Sequence, residues 1–251
     1  MSARPVVLVT GGSRGIGAAV SRLAAARGYD VAVNYRSDRK AADEVVDACR
    51  QHGAKAVAIA ANVAVEAEVI ALFEQAAAEL GPLRHLVNNA GITGRSSRLE
   101  RAEASAIREC IDINVTGPIV VAREATRRLA RSLGGPGGSI VNISSVAAGL
   151  GSPGEYVWYA ASKGAIDSFT IGLAKELATD GVRVNAVSPG MVETDIHEKS
   201  TGDRGRVERI RPHIPMQRIG RPEEIAEAVL FLMSDAASYM TGANLTVAGG
   251  R

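Results

Sequence analysis

The chain has 251 residues, 46% of them apolar, and a formal net charge of +2. That length carries one large α/β domain or two small ones, with ample apolar content for a core. The near-neutral balance argues against a nucleic-acid surface, and the two cysteines and four histidines show no metal or redox spacing.

In chain order, the apolar run VVLVT at 6–10 predicts a first strand, followed by glycines and a helical pattern over 15–27. DVAVNY at 30–35 predicts the second strand. A charged helix and an HG stop at 52–53 lead to the third, KAVAIAANV at 55–63. LRHLVNNAG at 83–91, GSIVNISS at 138–145, VRVNAVSPG at 182–190 and NLTVAGG at 244–250 complete seven strand candidates, most separated by a helix-length segment. Arginine-rich REATRRLAR at 123–131 reads as a solvated helix face, and Cys49 and Cys110 as small apolar packing residues. LGGPGGS at 133–139 is a turn before a strand. The polar stretch 191–215, with Gly202, Gly205, Pro212 and Pro215, breaks the alternation and reads as a binding loop or lid. No apolar run reaches membrane length and no apolar leader precedes the first strand, so a cytoplasmic, reducing setting is expected.

Regular βαβ alternation predicts a parallel, doubly wound sheet with helices on both faces. Ligands of such sheets bind beyond the C-terminal ends of the strands. Five loops then converge on one edge: 11–17, 34–36, 88–91, 144–145 and 189–190.

The first of these loops, TGGSRGIG, spans 10–17 between a strand and a helix. Its glycines Gly11, Gly15 and Gly17 allow a tight turn and close approach of a pyrophosphate, which the helix N-terminus would complement. The spacing is not G-x-G-x-x-G, and no Gly-Lys-Ser/Thr follows, so a P-loop is excluded. A glycine-rich turn without ligand is the competing reading. Further on, YAASK places Tyr159 and Lys163 four residues apart, on one helix face. A lysine beside a phenol lowers its pKa, which would make a general acid/base; an ordinary surface contact has the same spacing. Tyr156 has Ala160 four residues on and lacks that partner.

Seven segments, TGGSRGIG, NNAG (88–91), IDINVTG (111–117), NISS (142–145), YAASK, RVNAVSPG (183–190) and TGANLTVAGG (241–250), occur in the order of the short-chain dehydrogenase/reductase family, which the chain resembles essentially end to end. The resemblance implies a single Rossmann domain over 1–251, a nicotinamide cofactor, a small carbonyl or alcohol substrate and a homotetramer. It implies that Tyr159 exchanges a proton with the substrate oxygen and that Lys163 lowers the tyrosine pKa and bonds the nicotinamide ribose. Ser145 would polarise the substrate oxygen, with Ser144 as the alternative, and Asn114 would hold a water linking Lys163 to solvent. Cofactor contacts would come from Gly11, Ser13, Arg14, Gly15, Ile16, Gly17, Arg36, Asn62, Val63, Asn89, Ala90, Gly91, Tyr159, Lys163, Pro189, Gly190, Val192 and Thr194.

Some positions depart from the family pattern. Asn62 stands where an acid usually touches the adenine, and can still accept from its amino group. Ala248 replaces an acid before the last double glycine. The second strand ends in Arg36 rather than an acid, and with Arg14 this suits the 2′-phosphate of NADP; Asp38 keeps NAD open. Substrate contacts are expected from 93–97, 147–158 and 191–215, with Tyr156 and Trp158 walling a pocket or packing in a subunit interface. The spacing from Ser145 to Tyr159 is slightly long for the family, which suggests a small insertion at 147–155. The helices at 156–179 and 223–234, with the last strand, are the expected subunit contacts. The likeness extends to acyl-carrier-protein reductases and glucose dehydrogenases without choosing between them. A nucleotide-binding sensor or scaffold without turnover is the alternative from another class.

Overall fold

The computed structural model describes residues 4–194 and 205–251. Seven strands form one parallel sheet in the order β3-β2-β1-β4-β5-β6-β7. They are β1 (Val6–Val9), β2 (Asp30–Tyr35), β3 (Ala56–Ala60), β4 (Leu83–Asn88), β5 (Gly138–Ile143), β6 (Val182–Pro189) and β7 (Asn244–Val247). The order reverses direction at β1, which pairs β2 on one side (Val9 opposite Val33) and β4 on the other (Val9 opposite Val87). A crevice opens at such a reversal.

Side chains of a strand alternate between faces, and the inner strands are buried on both, while the edge strand β7 stays partly exposed. Val7, Val9, Val31 and Val33 pack under α1 (Gly15–Ala26), α2 (Arg39–Gln51) and α9 (Pro222–Met233). Val6, Leu8, Leu86 and Val184 pack under α3 (Glu66–Leu80), α5 (Gly117–Leu129) and α7 (Val157–Leu177). Local signals set the helix ends. The Asp38 carboxylate accepts from the Ala41 N–H at 3.0 Å and caps α2. Pro222 opens α9, while Glu224 reaches back to the Arg221 N–H at 2.8 Å. Arg123, Arg127 and Arg128 on α5 all pair with Glu124, whose carboxylate is buried, so the arginines cover a buried acid rather than forming a wholly solvated face. Cys49 and Cys110 are both fully buried.

Several strands end earlier than their apolar runs. Thr10, residues 61–63, 89–91, 144–145 and 248–250 leave the ladder, and Thr10, Asn89 and Ala90 bond to one another between strand ends instead. Three shorter elements complete the cleft. α4 (Ala104–Ile111) passes through a wide π-helical turn, Asp112–Thr116, into α5. α6 (Ala147–Leu150) is a single turn after β5, and α8 (Arg206–Ile210) precedes a 3₁₀ turn at Arg211–His213. No helix among the described residues is long and apolar enough to cross a membrane.

Candidate active site

The loops after β1, β2, β4, β5 and β6 surround one cavity of about 1020 Å³. Its floor is the glycine loop, held by side chains from neighbouring strand ends. The Asn34 carbonyl oxygen accepts from the Gly11 N–H at 3.1 Å, and its amide donates to the carbonyls of Ala61 at 3.0 Å and Ile59 at 3.3 Å. Thr10 Oγ1 accepts from the N–H groups of Asn89 at 2.9 Å and Ala90 at 3.1 Å. The Asn89 amide donates to the carbonyls of Thr10 and Gly11 at 2.9 and 3.1 Å. Gly11 has φ of 59°, in the left-handed region. A Cβ at Gly17 would lie 2.3 Å from the Gly11 carbonyl oxygen and 2.5 Å from Asn89 Nδ2, so the helix packs on the loop only as glycine. The result is a backbone cradle at the start of α1, the arrangement that receives a pyrophosphate.

Every expected cofactor contact lines this cavity except Gly17, which is buried beneath the loop. Arg14 and Arg36 stand at the rim, each already facing a carboxylate: Arg14 lies 3.6 Å from Asp38, and Arg36 lies 3.4 Å from Glu109 of α4. The Asn62 carbonyl oxygen accepts from the Ala64 N–H at 3.1 Å, so part of its accepting capacity is spent on the turn into α3. Gly190 also lies close to Ala248, where a Cβ would meet its Cα at 2.8 Å.

At the other end of the cavity, α7 presents Tyr159 and Lys163 beside Ser145. Ser144 is buried and donates to the Lys163 carbonyl at 3.2 Å, whereas half-buried Ser145 faces the cleft and accepts from the Ala147 N–H at 3.1 Å. Burial pushes the Tyr159 phenol up to about 12, opposed by a hydrogen bond with the Ser145 side chain. Burial also brings the Lys163 ammonium down to about 8. The lysine does not hold the phenol down in this arrangement. Its Nζ lies 5.7 Å from the centre of the Tyr159 ring and donates to the Ile143 carbonyl at 2.8 Å. Asn114 is fully buried behind Gly91. Its carbonyl oxygen accepts from the Ile92 N–H at 2.8 Å, while its amide donates to the Ile92 carbonyl at 2.7 Å and to Ser162 Oγ at 3.1 Å.

The substrate-side wall comes from Thr93–Gly94, the segment around α6, Tyr156, Met191 and α8. Tyr156 lines the cavity, and Trp158 packs behind it, donating to the Thr93 carbonyl at 3.0 Å. Glu155 and Arg206 also stand on this wall, paired at 2.7 Å. Sequence reasoning placed Glu155 and Arg206 within the expected substrate segments 147–158 and 191–215, and Thr10 and Asn34 at strand ends by the site, but gave none of the four a role. Of the expected lid, 191–215, residues 195–204 lie outside the described residues. Among the described residues no cluster of three His, Cys, Asp or Glu side chains is placed to hold a metal.

Residues 11–251 match the family model described as enoyl-(acyl carrier protein) reductase. The chain is 50% identical to the uncharacterized oxidoreductase YgfF of Escherichia coli, over 98% of this chain and 99% of the relative. A short-chain dehydrogenase from Burkholderia cenocepacia, solved in complex with NADP, superposes with a TM-score of 0.91 at 35% identity, covering 98% of this chain and 97% of the other. A 3-ketoacyl-(acyl-carrier-protein) reductase from Brucella melitensis, complexed with NADH, gives 0.90 at 33% identity, covering 99% and 98%. The chain belongs to the short-chain dehydrogenase/reductase family of nicotinamide-dependent oxidoreductases.

Proposed function

We propose that the protein interconverts a small-molecule carbonyl and its alcohol, with Tyr159 as the general acid/base and a preference for NADP. The carrying observation is that Tyr159, Ser145 and Lys163 line the same cavity as the glycine cradle. The residues present fit the cofactor: a backbone cradle for the pyrophosphate and two arginines at the rim for a 2′-phosphate. When bound, the nicotinamide supplies or takes the hydride.

The chain's own residues handle the proton. A phenol with a pKa of about 12 is fully protonated near neutral pH, which suits the donor in carbonyl reduction. Ser145 orients the substrate oxygen toward it. Lys163 would bond the nicotinamide ribose, and it supplies positive charge as the phenolate develops. Asn114, clasped to Ile92, fixes the wall behind Gly91 and holds the water that refills the proton. For oxidation the same group acts as the phenolate and takes the proton back, so one residue serves both directions. Arg14 and Arg36 would hold a 2′-phosphate by exchanging their contacts with Asp38 and Glu109 for it.

The remaining expectations stand beside this reading: the whole chain as one cofactor-binding domain in the cytoplasm, a homotetramer, and a substrate lid over 191–215. Met191, Arg206 and Ile210 on the cavity wall support the lid. Light scattering that gave a monomer would remove the tetramer.

The test is NADPH consumption over a panel of β-ketoacyl thioesters, diketones, quinones, steroids and sugars. Turnover of at least one class is expected, abolished in Tyr159→Phe and reduced less in Tyr156→Phe. NADPH binding without turnover of any class would instead support the sensor reading.

A further inference from the structure

Arg206 is only 6% exposed, although it opens a short helix at the edge of the cleft. Its Nε donates to Glu155 Oε1 at 2.9 Å and its Nη2 to Glu155 Oε2 at 2.7 Å, a two-pronged fork across 51 positions of sequence. Nη2 also donates to the Tyr156 hydroxyl, and the guanidinium lies 5.5 Å from the centre of the Tyr156 ring. Nη1 reaches Met191 Sδ at 4.0 Å. Glu155 is itself fixed, because its carbonyl accepts from the Ser97 N–H at 2.7 Å. Three segments of the substrate-side wall therefore meet at one guanidinium: the loop before α7, the start of α8 and the end of β6.

The consequence passes through Tyr156. Its ring stands edge-on to Tyr159, centroids 5.4 Å apart at 85°. A ring gripped on one side by Arg206 and packed on the other against Tyr159 limits how the phenol can tilt. A buried guanidinium held in a planar fork has one position, whereas a lysine there keeps the charge and loses the fork. We propose that Arg206 is a positioning residue for the proton transfer, holding Tyr156 against Tyr159 so that the phenol faces the substrate oxygen. Nothing in the local sequence marks it: the fork exists only because the fold brings 155 and 206 together.

The proposal rests on the carbonyl-reductase reading, and the experiment separates the two. The variants are Arg206→Met, Arg206→Lys, Tyr156→Leu, the double variant Arg206→Met/Tyr156→Leu, and Arg206→Met/Glu155→Gln, which removes both charges in case the lone Glu155 impairs folding. The kinetic arm measures kcat, KM and NADPH Kd with the carbonyl probe that the wild type turns over fastest. Misplacing a reacting group by about 1 Å can cost roughly a hundredfold. Both Arg206 variants should lose about ten- to a hundredfold in kcat with NADPH affinity nearly unchanged, and lysine should not rescue. Tyr156→Leu should lose as much, and the double variant little more, because both act through one contact. A second arm needs neither cofactor nor substrate. Trp158, the single tryptophan of the chain, is buried in a cluster with Tyr156 and Cys110, so loosening Tyr156 should increase quenching of its fluorescence by acrylamide.

Near wild-type kcat in folded Arg206→Met overturns the proposal. So does a fall in NADPH affinity in step with kcat, or a double variant whose loss is the product of the two single losses. If the wild type turns over no carbonyl, the functional reading fails, and unchanged Trp158 quenching in Arg206→Met then overturns the positioning role by itself.

Discussion

Around the glycine loop, the bonds run between strand ends that the sheet already holds side by side. Thr10 meets Asn89 and Ala90, and Asn34 meets Gly11, all across neighbouring strands of one parallel sheet. On the substrate side, the wall is joined by side chains from segments the sheet does not align, with Arg206 reaching Glu155 and Tyr156, and Trp158 reaching Thr93. The first half is rigid backbone with little choice of residue. The second is a set of individual side-chain contacts that can be exchanged without disturbing the sheet. A family can therefore keep one cofactor half and vary its substrate half.

Substitutions in the two halves should fail in different ways. The largest effect is expected where they meet. Lys163→Met removes the ammonium that donates to the Ile143 carbonyl and should lower turnover by roughly a hundredfold or more. Steady-state kinetics at saturating NADPH measures it, and an unchanged kcat with weakened cofactor affinity would place the lysine in binding alone. For the wild type, kcat/KM for reduction should fall as pH rises through about 8, where Lys163 loses its charge. A flat profile through that range would remove Lys163 from the charge balance of the reaction.

Within the rigid half, Gly17→Ala forces a Cβ to 2.3 Å from the Gly11 carbonyl. Overpacking of that kind costs about 1–3 kcal/mol, visible as a lower melting temperature, and distortion of the cradle should weaken NADPH and NADH alike. Loss of one cofactor only would contradict the shared cradle. At the rim, Arg36→Ala should discriminate. A charge-assisted hydrogen bond contributes roughly 1.5–3 kcal/mol, or about ten- to a hundredfold in NADPH affinity, with NADH little changed. Arg36 is 59% exposed, so screening favours the lower end. Equal weakening of both cofactors on titration would refute the 2′-phosphate role.

A last test reads the sheet beneath the cradle through stability, with no effect expected at neutral pH. His85 on β4 is buried against Ser139 Oγ at 2.8 Å, and its pKa is lowered from 6.5 to about 3 by burial. The unfolded chain takes up the proton first. The stability that neutral His85 contributes is therefore full above about 6.5 and is lost as pH falls toward 3, at up to roughly 1.4 kcal/mol per pH unit. Urea unfolding against pH should show this slope, and His85→Asn should reduce it.

What the sequence made legible follows the same division. The strand alternation, the glycine loop and the Tyr159–Lys163 pair are local patterns, and each lies where the pattern puts it. Asn34 and Thr10 were readable as strand ends but not as clamps, since their partners sit on other strands. Arg206 and Glu155 fell in the expected substrate segments, but their pairing carried no signal, because residues 51 apart become a pair only in the fold. The tyrosine pKa went the other way from the local expectation for a physical reason. Spacing shows that a lysine shares the helix face, but not that both groups are buried and that the lysine donates elsewhere.

The central claim is that Tyr159 delivers the proton to the substrate oxygen, a role its ring alone cannot fill. Single-turnover decay of NADPH absorbance, with enzyme in excess and the best carbonyl probe, tests this most directly when wild type and Tyr159→Phe are compared after separate titration with NADPH. The account predicts nearly unchanged NADPH affinity with decay slowed by about a hundredfold to ten-thousandfold in Tyr159→Phe. Decay at a near wild-type rate in Tyr159→Phe would contradict it.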